Sequence, residues 1–242
     1  MLDLSNKKSL YQIYRLKKAS GGYRLIFNPK PILREEQNRL LSRLYTYHIS
    51  DYCFAFKKGC SAKDAAKIHL NSEWIISLDI KDFFPSITKD HLLSIGLSDY
   101  EAELVTYNNN KLVQGSVYAP VISNIVISAI IERVAKCLSR HNIRITSYCD
   151  DITLSAISGR PKWLYVNYIK DVLWENGFKL NTKKTKFMFK NTSMEVLGLN
   201  INNGITVNRK VRKRLKNTIK YQGIDDSLRG KLSYINFIMN SV

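Results

Sequence analysis

Ile145-Thr146-Ser147-Tyr148-Cys149-Asp150-Asp151-Ile152-Thr153-Leu154-Ser155 sets two adjacent carboxylates between two short arms of alternating apolar residues. Ile143, Ile145 and Ser147 share one side of the first arm, and Ile152 and Leu154 share one side of the second. That period of two is the pattern of β-strands, so the stretch reads as a hairpin with Asp150-Asp151 in its tight turn. Adjacent anions repel each other and resist burial unless a cation stands between them. The hairpin is therefore either a divalent-metal site for phosphoryl chemistry or a plain surface turn, because aspartate is a favoured turn residue.

The surrounding composition bears on that choice. Lys and Arg number 38 against 20 Asp and Glu in 242 residues, a formal net charge of +18. Such an excess points to a polyanionic partner, nucleic acid first and an anionic membrane surface second. No apolar run approaches the ~20 residues that span a bilayer. Residues Met1 to Leu10 lack the apolar core of a secretion signal. The expectation is a cytoplasmic protein with no membrane partner. Cys53, Cys60, Cys137 and Cys149 show no CxxC spacing and read as reduced thiols, not as a zinc site or a disulfide framework.

Upstream of the carboxylates, Tyr11 to Leu16 and Tyr23 to Phe27 alternate around Lys17-Lys18 and Gly21-Gly22. This predicts a basic hairpin in which Lys17, Lys18 and Arg24 grip a triphosphate or a nucleic-acid backbone. Pro31 starts a helix with an apolar face. Lys57 and Lys58 precede a second helix, capped by Ser61 with Asp64, and make a phosphate contact there plausible. Trp74 to Leu78 is a strand apolar on both faces, ending on Asp79. Asp79 is either an N-cap or ion-paired residue, or a third metal ligand meeting Asp150 and Asp151 across a sheet; Asp82 could cap the next turn. Helical segments break near Gly96. A loop through Gln114 and Gly115 leads into a long apolar helix from about Val121 to Arg140. After the Asp-Asp hairpin come a helix from Trp163 to Asn176 ended by Gly177, a return to the sheet, and a hairpin through Asn202-Asn203-Gly204. The final stretch is helical and clusters Arg209, Lys210, Arg212, Lys213, Arg214 and Lys216, a dense phosphate-backbone signal.

Taken in order, these pieces resemble the reverse transcriptase family. Tyr148-Cys149-Asp150-Asp151 is similar to its Tyr-x-Asp-Asp box, and Ser77-Leu-Asp79-Ile-Lys-Asp82-Phe-Phe84-Pro-Ser-Ile87 to the motif holding its first catalytic aspartate. Gly21-Gly-Tyr-Arg24 resembles the fingers hairpin, and Phe54 to Ser61 with Asp64-Ala-Ala the next fingers motif. Gln114-Gly115 with Ala119-Pro120 and Ser123-Asn124 resembles the nucleotide-pocket box, worded differently here at Val117, Tyr118 and Ala119. Gly177 to Thr185 and Leu197-Gly198-Leu199 resemble the two motifs that follow. The wording comes nearest to bacterial retron enzymes, with group II intron and phage-defence reverse transcriptases beside them. Several matches in order are far more specific than any one.

The resemblance implies an α+β right-hand polymerase fold: fingers over residues 1–73, a palm over 74–207 (an antiparallel sheet packed on helices, with a fingers insertion at about 90–115), and a short basic helical thumb over 208–242. It implies RNA-directed DNA polymerisation, with two Mg²⁺ ions, or Mn²⁺ as a substitute, held by Asp79, Asp150, Asp151 and the Ile80 backbone carbonyl. Arg24 with Lys17 or Lys18 would brace the triphosphate, and Phe84 would exclude a ribose 2′-hydroxyl. Gln114 and Gly115 would line the pocket, and Lys183 or Lys184 would approach the carboxylates. Expected partners are dNTPs, a structured noncoding RNA as template and primer, and its single-stranded DNA product. A retron would add an antiphage role with a separate effector protein. A non-catalytic RNA-binding scaffold and an untemplated nucleotide-adding polymerase are the alternatives.

Overall fold

The computed structural model describes residues 2–17, 21–107, 110–222 and 225–240. Strands β1 (Tyr11–Lys17) and β2 (Tyr23–Pro29) pair antiparallel from Tyr11↔Pro29 to Lys17↔Tyr23, the basic hairpin expected from the alternation. Its base is buried through Tyr11 and Phe27, and its distal half stands in solvent. Lys18 lies outside the described residues. Helix α1 (Pro31–Leu44) begins on proline and buries Leu33, Gln37, Leu40 and Leu44, a stripe at helical spacing. Ser61 opens α2 (Ala62–Ile68) with the expected capping box: its hydroxyl accepts from the Asp64 N–H, and Asp64 accepts from the Ser61 N–H.

Strand β3 (Trp74–Asp79) is buried on both faces. Short helices α3 (Phe83–Ser86), α4 (Lys89–Ser94) and α5 (Asp99–Val105) follow, with the break between the last two at Gly96. Asp82 precedes α3 but makes no capping bond. At φ +47° it lacks the extended backbone that aims an N-cap side chain back at the helix N–H groups. Strands β4 (Thr106–Tyr107) and β5 (Lys111–Leu112) lead to α6 (Ala119–Ser139). Every residue from Val121 to Ser128 is buried, so α6 has no solvent face there and forms the centre of the core. Its buried polar side chains are bonded in that position. Asn124 donates to the Ala55 carbonyl (2.7 Å), and Ser128 accepts from the Ser50 N–H (2.6 Å), tying the 50–55 segment down.

The central hairpin is β6 (Arg144–Tyr148) and β7 (Asp151–Ala156). Helix α7 (Trp163–Glu175) ends, as expected, just before Gly177, and β8 (Lys186–Phe189) returns to the sheet. The sheet runs in the order β6-β7-β3-β8, antiparallel throughout. Residues 52–54 cover its β6 edge: Phe54 N–H donates to the Ser147 carbonyl, and Ser147 N–H to that of Tyr52. Strands β9 (Glu195–Val196), β10 (Leu199–Asn200) and β11 (Thr206–Val207) form a small second sheet before α8 (Arg209–Gln222) and α9 (Asp226–Asn240).

Side chains from β3, α6 and α7, including Ile76, Leu78, Ile122, Ile127 and Ile169, make one continuous core with Phe178 beyond the end of α7. Each such residue contributes about 1.5–3 kcal/mol on burial. A smaller core of Ala66, Ile75, Met194, Val196, Leu199, Val207 and Ile238 fastens α9 to α2 and the second sheet. The Lys63 ammonium donates to the Phe237 and Ile238 carbonyls near the C-terminal end of α9, where the helix dipole favours a cation. Among the described residues, no helix is long and apolar enough to cross a membrane.

Candidate active site

Strand register decides where the three aspartates stand. Tyr148 pairs with Asp151 across β6 and β7, so the two-residue turn is Cys149-Asp150, not Asp150-Asp151 as the sequence predicts. Asp151 is the first residue of β7 and lies opposite Asp79 on β3. Cys149 takes φ +59°, a left-handed backbone that a side-chain-bearing residue seldom adopts, and this tightens the turn. The Ile80 N–H donates to the Asp150 carbonyl (2.8 Å), strapping the end of β3 to the turn. Asp79 and Asp150 thus face one cleft, with Asp151 behind them in the sheet.

Asp79 is buried, and both of its carboxylate oxygens are bonded. Asn181 Nδ2 donates to Oδ1 at 3.0 Å, and Lys184 Nζ to Oδ2 at 2.7 Å. The ion-paired reading of Asp79 therefore holds alongside its place in the carboxylate group. The Lys184 side chain is 61% exposed, so solvent screening keeps this pair toward the weak end, about 0.2–1 kcal/mol. The bond to Asp79 raises the Lys184 pKa. Asp151 is pushed up to about 6, chiefly by burial and then by the Asp150 and Asp79 carboxylates, with Lys184 and Lys186 opposing. Burial beside Asp150 pushes the Cys149 thiol up as well.

Among the described residues, no three His, Cys, Asp or Glu side chains are drawn together as a metal-ligand set. The donor chemistry still fits a hard divalent cation. Burial, and then the Asp150 and Asp79 carboxylates, hold Asp151 well above an ordinary aspartate, and the Ile80 carbonyl is engaged neither by the bond to Asp150 nor by the pairing of Asp79 and Lys81 with the 179–181 segment.

The cleft has a volume of about 1110 Å³. It brings together Lys17, Arg24, Asp79, Ile80, Phe84, Gln114, Asp150 and Lys184 from β1, β2, β3, α3, the loops and the turn. Phe84 is partly buried against Phe83 (centroids 5.8 Å apart), which in turn packs on Phe178. Gly115 does not line the cleft. Its neighbour Gln114 accepts a hydrogen bond from the Phe27 N–H (2.7 Å), and Gly115 itself lies against β2, where a Cβ would stand 2.6 Å from Ile26 Cγ2. Its requirement for glycine comes from this close approach at φ +104°. Tyr118, in the differently worded part of that loop, is fully buried and bonded to the Gln37 side chain (3.0 Å). Lys57 is paired with Asp51 (3.0 Å) and Lys58 is exposed, both away from the cleft lining. Arg209, Lys210, Arg212, Lys213, Arg214 and Lys216 are all exposed along α8, with Leu215 buried beneath. Sequence reasoning missed Asn181, Lys81 and Lys111 in the cleft wall. Asn181 lies within the Gly177 to Thr185 stretch that resembles a family motif, ahead of the Lys183-Lys184 turn, but was given no role there.

The profile of the family described as reverse transcriptase (RNA-dependent DNA polymerase) matches residues 16–201. The retron Mx65 reverse transcriptase of Myxococcus xanthus is 26% identical over 95% of this chain and 60% of its own length. The retron Ec83 reverse transcriptase of Escherichia coli is 27% identical over 93% of this chain and 78% of its own length. Among solved structures, an apo telomerase from Candida tropicalis, truncated from its C-terminal domain, aligns with a TM-score of 0.55 at 12% identity, over 86% of this chain and 56% of that one. A foamy viral protease-reverse transcriptase in complex with double-stranded DNA aligns at 0.56 and 14%, over 87% and 34%. At that identity the structural likeness speaks for the fold, the α+β right-hand polymerase architecture. Members of the family generally use divalent metal ions. The chain belongs to the reverse transcriptase family, and it is similar to its retron members.

Proposed function

We propose that this protein is an RNA-directed DNA polymerase that copies a structured noncoding RNA into single-stranded DNA, as a retron reverse transcriptase. The observation that carries the reading is the cleft, which Asp79 and Asp150 line together with the basic hairpin residues Lys17 and Arg24. A triphosphate fits between an anionic floor that holds cations and a cationic wall that holds phosphates. On this reading residues 1–73 are fingers, 74–207 palm and 208–242 thumb.

Asp79 and Asp150 would be the main holders of two Mg²⁺ ions, or of Mn²⁺, with Asp151 third and the Ile80 carbonyl beside them. When bound, the metal supplies activation of the primer hydroxyl and neutralisation of the leaving pyrophosphate. Arg24 offers a planar fork of donors to the triphosphate, and Lys17 adds a point charge. The Phe84 ring fills the space beneath the sugar and leaves no room for a 2′-hydroxyl. Gln114 faces the nucleotide from the loop ahead of α6. The exposed cations of α8 follow the template–primer backbone.

The test is Asp150→Asn, assayed for templated dNTP incorporation and for RNA binding. Incorporation should be lost and RNA affinity should stay within about twofold. Retained polymerisation would reject the assignment of Asp150.

A further inference from the structure

Both oxygens of the Asp79 carboxylate are bonded by one short segment, Asn181 to Lys184. The two donors differ in kind. Asn181 is anchored twice to the same residue: its backbone N–H donates to the Asp79 carbonyl (2.7 Å), and its side chain to Oδ1. It is half-buried, and its own carbonyl accepts from the Lys184 N–H (3.0 Å), which shapes the turn that carries the lysine. Leu180 bridges Ile80 in the antiparallel sense, so the segment is also pinned one residue further along the chain from β3. Lys184 has no such anchoring at its far end. Its ammonium reaches Oδ2 on a flexible, largely exposed stem. A neutral amide held at two points is a fixture, whereas a screened ammonium on a long stem can leave at little cost.

We propose that Asn181 is the positioning residue that fixes the plane of the Asp79 carboxylate, and that Lys184 is a built-in counter-ion on Oδ2 which a divalent cation must displace. The inference rests on the polymerase reading given above. It accounts for a buried carboxylate whose two oxygens are both bonded. It also gives Lys184 somewhere to go, because Lys184 lines the same cleft as Lys17 and Arg24, where the proposed triphosphate would bind. Metal and nucleotide would then load together: the cation takes Oδ2 as the triphosphate takes the ammonium.

The test is Mn²⁺ affinity of the full chain without nucleotide or primer, read from the free-Mn²⁺ electron paramagnetic resonance signal. Lys184→Met should tighten Mn²⁺ binding about three- to fivefold, and Lys184→Arg should remain within twofold of wild type. Lys183→Met removes the same charge from the neighbouring exposed position and should also stay within twofold, which separates the pair from a general field effect. Asn181→Ala should weaken Mn²⁺ binding several-fold and lower kcat with the KM for dNTP unchanged, at a melting temperature close to wild type. An unchanged or weaker Mn²⁺ affinity in Lys184→Met, or equal tightening in Lys183→Met, would overturn the counter-ion role. Unchanged Mn²⁺ affinity in Asn181→Ala would overturn the positioning role. Asp79→Asn keeps the two levels apart. If Mn²⁺ binding survives that substitution, the metal-site reading itself fails; if it is lost while Lys184→Met has no effect, only the clamp fails.

Discussion

Gly115→Ala tests how the basic hairpin is joined to the nucleotide cleft. Two separate costs meet at this position. The backbone sits at φ +104°, where an L side chain is strained, at a cost of about 1–3 kcal/mol. The new Cβ would also stand 2.6 Å from Ile26 Cγ2 and 3.1 Å from both the N and the O of Phe27. The Ile26 methyl can turn aside, but the Phe27 backbone cannot move without disturbing its 2.7 Å hydrogen bond to the Gln114 carbonyl. Overpacking of this kind adds about 1–3 kcal/mol. Gly204→Ala is the matched control: φ is +81° and nothing lies within 4 Å of the added Cβ, so it carries the backbone cost alone. Urea unfolding of the two variants should differ by about 1–3 kcal/mol, with Gly115→Ala the less stable. Because β2 carries Arg24, the KM for dNTP should also rise in Gly115→Ala and stay unchanged in Gly204→Ala. Equal destabilisation by the two substitutions would refute the claim that Gly115 is glycine because β2 lies against it.

Phe84→Ala should admit ribonucleotides, measured as the ratio of rNTP to dNTP incorporation; an unchanged ratio would remove Phe84 as the gate. Replacing Arg212, Lys213 and Lys216 on α8 with alanine should flatten the salt dependence of RNA affinity by about 0.7–0.9 in slope for each phosphate no longer neutralised, and an unaltered slope would take α8 off the nucleic acid. His69 is fully buried between the Ser155 and Thr146 hydroxyls, and burial, helped by Arg144, holds its pKa down at about 3. The unfolded chain takes up that proton near pH 6.5, so His69 lowers stability as the pH falls from 6.5 toward 3, by about 1.4 kcal/mol per unit. Asp151, held up at about 6, acts in the opposite sense below that pH. The useful readout is therefore wild type against His69→Gln in urea between pH 7 and pH 5, and parallel curves would contradict the buried neutral imidazole.

Much of this molecule is written within a few residues at a time. The alternation around Tyr148, the apolar run before Asp79, the Ser61 capping box and the glycine after α7 are local features. Their physics is the two-residue period of a strand, the orphan N–H groups of a helix start and the left-handed end of a helix. The reverse transcriptase resemblance rested on the wording of the motifs in order, with Tyr148-Cys149-Asp150-Asp151 and the Ser77 to Ile87 stretch carrying the aspartates. The net charge of +18 likewise pointed to a polyanion without any fold.

Other features depended on how distant segments meet. A hairpin pattern leaves its register open by a residue, and only the pairing of Tyr148 with Asp151 put Cys149-Asp150 in the turn and Asp151 in the sheet. Gln114-Gly115 read as pocket lining, yet the approach of β2 turned Gly115 into a packing contact. Asp82 stood where a cap belongs, and its backbone angle took that role away. The bonds from Asn181 and Lys184 to Asp79 cross 102 and 105 residues of chain. Local pattern records which face of an element is apolar. Which donor comes to rest on a carboxylate is set by the packing of α7 and β8 against β3, and that exists only once the chain has folded.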